Sequence, residues 1–135
     1  MIQLLSYIIF SPFIGAICIF FLPVSDETAK KVGLFFSLSS LILVFFCGVF
    51  FDNSFGGFQF IETYSYQHFN TISISLGIDG ISILFVILTA FLIPCCLVIS
   101  WGLVNNVKFY FGAFLIIESC IFIVFITLDV VFFYV

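Results

Sequence analysis

The sequence predicts an all-α fold, a polytopic transmembrane helix bundle of four full spans and the start of a fifth, with a small extramembrane β-hairpin between spans two and three. Three observations carry this. Of 135 residues 64% are hydrophobic and the mean hydropathy is +1.44, which leaves too little polar surface for a water-soluble fold. Apolar runs of spanning length recur along the chain, and one polar stretch between them alternates with the period of a strand.

A bilayer core of about 30 Å needs about 20 apolar residues of helix. The single membrane domain, 1–135, offers such runs at 2–22, 32–51, 78–101 and 109–127. The first is too long for the apolar region of a cleavable signal and has no positive flank before it, so it reads as a retained span. The connections are short except for the extramembrane loop, 52–77.

Charge is sparse: seven acids, three lysines and no arginine, a formal net charge of -4. Without arginine forks a nucleic-acid partner is excluded, and the lipid bilayer is the partner that composition requires. Lys30 and Lys31 lie between spans one and two, and Lys108 between spans three and four, hence on one side by parity. The positive-inside rule turns that side toward the matrix or cytoplasm, with Met1 and loop 52–77 opposite.

The five cysteines (Cys18, Cys47, Cys95, Cys96, Cys120) lie in apolar runs without metal-ligand spacing and read as buried small hydrophobes. Twenty-three phenylalanines point to an AT-rich coding genome, such as an organellar one. No nucleophile–base pair, metal cluster or nucleotide-binding loop is present, so an enzyme acting alone is the least supported class.

In the loop, Thr71 to Leu76 alternates strictly between polar and apolar, and Phe58-Gln59-Phe60 does so until Ile61 breaks the pattern. These form an amphipathic hairpin whose turn falls within Thr63 to Asn70, and His68, with no neighbouring ligand, reads as an ordinary loop residue.

Five positions in or at the ends of the spans invite a role. Asp79 sits where the N-cap of span three belongs, with Ser82 three residues on to help satisfy free amides. Pro12 and Pro94 remove helix bonds to Ile8 and Ala90 and are candidate kinks, a feature of transport paths and of plain bundles alike. Glu118 lies about 15 Å into span four, near mid-membrane, where a lone carboxyl is costly. It is either a proton-path residue or a hydrogen-bonded structural acid, and no basic residue of the chain lies in a span to pair with it. Asp129 follows span four and caps the next helix. From there to Val135 the chain covers only about 10 Å of helix, so the fifth span, starting near 129, is expected to be completed by another segment.

Several stretches together resemble a known family: Ser11-Pro12-Phe13-Ile14-Gly15, Phe58-Gln59-Phe60-Ile61-Glu62, Leu76-Gly77-Ile78-Asp79-Gly80-Ile81-Ser82 on through Pro94 to Ser100-Trp101, and Leu128-Asp129-Val130-Val131-Phe132-Phe133-Tyr134-Val135. In this order they look like the N-terminal part of subunit four of mitochondrial NADH:ubiquinone oxidoreductase, respiratory complex I, in the antiporter-like subunit family. The resemblance implies a non-catalytic, multi-pass subunit of the mitochondrial inner membrane. It also implies that the N-terminus and hairpin face the intermembrane space and the lysines the matrix. The implied role is proton translocation coupled to electron transfer.

It further implies no cofactor in this chain, with NADH, FMN, iron-sulfur clusters and ubiquinone served by other subunits. The implied partners are other membrane-arm subunits and a separate chain carrying the remaining helices. The family's principal proton-handling groups, a glutamate in the fifth helix and lysines in later discontinuous helices, lie beyond this sequence, and acid at the position of Glu118 is not a constant family feature. Two further functions are carried forward: a structural scaffold of the membrane arm with no proton path of its own, and a component of a sodium/proton antiporter complex.

Overall fold

The computed structural model describes residues 3–65, 73–103 and 105–128. Its elements in chain order are α1 (Leu4–Phe21), α2 (Asp26–Val49), β1 (Gln59–Ser65), β2 (Ser73–Ile78), α3 (Ser82–Ile99), a single 3-10 turn (Ser100–Gly102) and α4 (Val107–Ile126). The four helices are long and apolar enough to cross a membrane.

Each helix end has a local cause. Pro23 cannot continue α1, and Leu22 before it is extended, with ψ 140°. Ser25 then caps α2, its hydroxyl accepting from the Thr28 N–H at 3.3 Å, with Asp26 and Glu27 favourably placed in the first turn. The helix therefore starts ahead of its apolar run. Lys30 and Lys31 belong to α2 and Lys108 to α4, rather than to the loops where hydropathy alone puts them.

The hairpin is antiparallel, with Glu62 opposite Leu76 and Gln59 opposite Ile78. Between those pairs β1 has one residue more than β2, a bulge, and Phe60 takes up the turn with φ 55°. This is why the alternation breaks at Ile61 although the strand continues to Ser65. Thr63 to Ser65 are strand rather than turn, and Ile78 ends β2 rather than beginning a span. The chain beyond α4 joins the same sheet: Thr127 bridges Leu76, and the Leu128 N–H donates to the Ser75 carbonyl at 2.9 Å.

Lipid gives little drive for apolar burial, so helices associate where small residues let side chains approach closely. Here three such contacts close a ring. Phe36 of α2 lies over Gly15 of α1, Phe111 of α4 over Gly33 of α2, and Phe20 of α1 over Gly112 of α4; a Cβ on these glycines would stand 2.6 to 2.7 Å from the ring carbons.

Two apolar clusters fill the interior. One, toward the hairpin, includes Leu5, Ile8, Val44, Ile78, Val86 and Phe122; the other, toward the lysines, includes Ile19, Ala29, Leu97, Phe111 and Leu115. Of the cysteines only Cys47 is buried, while Cys120 is exposed and the others are half-buried. The expectation of burial is corrected there, because an apolar side chain facing hydrocarbon has no need of the interior. Phe21, Phe35, Phe45 and Phe109 face outward in the same way.

Candidate functional site

Between the two apolar clusters lies a polar layer made of Ser37 and Ser40 from α2 and Glu118 and Ser119 from α4, all at most 2% exposed. Glu118 is eleven residues from the start of α4, about 16 Å along it and hence near the middle. Ser40 Oγ lies 2.5 Å from Glu118 Oε1 and 2.8 Å from the Ser37 carbonyl oxygen. The Ser37 hydroxyl stands close enough to act on the same carboxyl. Like Glu118 Oε2, it makes no hydrogen bond of good geometry among the described residues.

Ser119, beside Glu118, donates to the Ile9 carbonyl of α1 at 2.9 Å. That carbonyl is next to the Ile8 carbonyl, which Pro12 deprives of its helix donor and which the Ser11 hydroxyl reaches only at 3.5 Å. Ser119, the residue after Glu118, thus ties α4 to α1 three residues before Pro12. Helical structure is continuous through Pro12 and through Pro94, which is buried on α3 beside Ile93 and Leu97 of the lysine-end cluster.

The remaining candidates sit apart. Asp79 Oδ1 accepts from the Ser82 N–H at 2.6 Å, and its carbonyl from the Ile83 N–H at 3.1 Å, at the head of α3. Hydrogen bonding from Ser82, by its side chain first and its backbone N–H second, holds the Asp79 carboxyl below the ordinary carboxylate range. Asp129, His68 and the start of the fifth span lie outside the described residues. Among the described residues no group of three or more His, Cys, Asp or Glu could hold a metal.

Two polar contacts were not derivable from local pattern. Glu62 on β1 caps α1: its Oε1 accepts from the Leu5 N–H at 2.8 Å, and its Oε2 from the Ser6 hydroxyl at 2.6 Å and the Ser6 N–H at 3.2 Å. At the far end Lys30 Nζ donates to the Trp101 carbonyl and lies 5.8 Å from the centre of its ring. Hairpin and lysines therefore occupy opposite ends of the bundle. The sole sequence signal for Glu62 was a charged residue inside a strand.

No family model matches the chain. It is 41% identical over 133 residues, 97% of its length, to NADH-ubiquinone oxidoreductase chain 4 of Arabidopsis thaliana, and 37% identical over 133 residues to the chain 4 of Marchantia polymorpha. It is 36% identical over 137 residues, 98% of its length, to NADH-quinone oxidoreductase subunit M of Rhodobacter capsulatus. The chain spans about a quarter of the length of these curated relatives, 27%, 27% and 26% respectively.

Proposed function

We propose that this chain, a homologue of about a quarter of NADH-ubiquinone oxidoreductase chain 4, supplies the opening helices of a proton-translocating membrane subunit of that oxidoreductase. The observation that carries this is identity of 41% sustained over 97% of the chain, through spans and hairpin alike. The setting is the mitochondrial inner membrane, with the hairpin toward the intermembrane space and Lys30, Lys31 and Lys108 toward the matrix. The unanimity of the lysines at one end of the bundle supports that orientation.

In this reading the chain is a non-catalytic subunit and binds no cofactor; NADH, FMN, iron-sulfur clusters and ubiquinone are handled by other subunits. Further polypeptide, in a separate chain, brings the remaining helices, and other membrane-arm subunits flank them. Purifying the oxidoreductase and inventorying its chains by intact mass tests this. An intact full-length chain 4 in the complex, with this chain absent, overturns it.

Glu118 is the acid through which these helices would take part in proton movement. A scaffold role is the second reading, favoured by the Ser40 contact and by the absence of any cation paired with Glu118 among the described residues. Glu118→Gln separates the two: a lowered pumping ratio in a fully assembled complex supports proton handling, and an unchanged ratio supports the scaffold.

A further inference from the structure

A serine hydroxyl has one hydrogen to give and two lone pairs to receive with. Ser40 Oγ faces two oxygens at hydrogen-bonding distance, Glu118 Oε1 at 2.5 Å and the Ser37 carbonyl at 2.8 Å. Were Glu118 ionised, both would be acceptors. One hydrogen cannot serve both well, so one close oxygen pair would be left with lone pairs opposed. Among the described residues Glu118 Oε2 makes no hydrogen bond of good geometry, inside a side chain that is 0% exposed, and the unbonded Ser37 hydroxyl is the donor near the carboxyl.

Among the described residues no cation relieves this. Among the described residues the one ion pair is the exposed Lys31 with Glu27, and Lys30 is committed to the Trp101 carbonyl at the end of the bundle. A proton on Oε1 resolves the count at once, since Glu118 then donates to Ser40 Oγ and Ser40 donates to the Ser37 carbonyl. Every short contact has its own hydrogen.

We propose that Glu118, Ser40 and the Ser37 carbonyl form a proton-holding site at the middle of the bundle, in which Glu118 is the neutral acid with its proton on Oε1. Ser40 is the positioning residue. Its own hydrogen ends on a peptide carbonyl, so the row holds the proton and does not pass it along α2. The proton can leave only when the carboxyl turns away from Ser40. This assignment concerns the charge state of one side chain and stands apart from the subunit assignment above.

Infrared difference spectroscopy of the full chain, purified from its native membrane with its partners at neutral pH, tests it. Wild type minus Glu118→Gln is expected to show loss of one carboxylic-acid carbonyl band that shifts in D2O. Loss of carboxylate bands instead, or no carboxyl change, overturns the proposal. Ser40→Ala keeps Glu118 in place and serves if the glutamine variant does not assemble. It is expected to move the acid band to higher frequency as the hydrogen bond is lost, and an unmoved band, or a change confined to carboxylate bands, removes Ser40 from the site and overturns the arrangement.

Discussion

Glu62 and Leu5 are 57 residues apart in sequence, yet the Glu62 carboxylate accepts the Leu5 N–H at 2.8 Å and so caps α1 from the neighbouring hairpin. A capping carboxylate contributes about 1 kcal/mol, within a range of about 0.5–2. Glu62→Ala is expected to speed amide exchange at Leu5 and Ser6 several-fold and to loosen β1, with α4 unaffected. Exchange measured residue by residue in detergent or nanodiscs checks this, and unchanged protection at Leu5 would refute the cap.

The glycine contacts make unequal demands. Phe111 over Gly33 is fully buried, whereas Phe20 over Gly112 is 44% exposed and meets it with the far end of its ring. Gly33→Ala is expected to destabilise the bundle by about 1–3 kcal/mol through overpacking. Gly112→Ala should cost well under that, because Phe20 can swing outward. Unfolding curves in mixed detergent would rank the two, and equal losses would contradict the packing described.

Trp101 is the chain's only tryptophan, so its fluorescence reports the Lys30 contact directly. Lys30→Met removes a charged hydrogen bond and a ring contact, a loss on the order of 1 kcal/mol for a half-buried pair. A shift in the Trp101 emission with weaker anchoring of the α3 end is expected. Identical spectra would mean that the contact is not formed.

Asp79 yields a pH dependence. Its folded-state carboxyl is held below the ordinary range, first by the hydrogen bond from Ser82. A depressed carboxylate stabilises the fold above its unfolded value, and that contribution is lost as pH falls through the folded value. Protection of the Ser82 amide should therefore hold at neutral pH and fall on acidification. Asp79→Ala should abolish the pH dependence, and a dependence that survives the substitution would assign it elsewhere.

Much of this was legible in the sequence because the bilayer imposes simple lengths. Spans one to four follow from apolar run length, and Glu118 follows from being a lone acid within one. Their ends were less legible, since helices such as α2 extend past the apolar run wherever a cap like Ser25 is available. The bulge at Phe60 hid the second half of β1, because one inserted residue inverts the alternation on which the strand signal rests. Ser40 and Glu62 were missed as partners for a plainer reason: both act across tertiary contacts, and nothing in their local sequence says which helix they will meet.

The hairpin has a mechanical consequence. Its first strand grips the head of α1 through Glu62, its second runs on into α3, and the segment after α4 is laced to it at Ser75 and Leu76. No one of these three helices can slide along its own axis without dragging the same pair of strands. Axial play is thereby suppressed at that end, while at the lysine end Lys30 ties α2 to the Trp101 carbonyl and Ser100 meets the Tyr110 hydroxyl of α4 at 2.7 Å. The bundle is thus fastened at both ends, by strands at one and by side chains at the other.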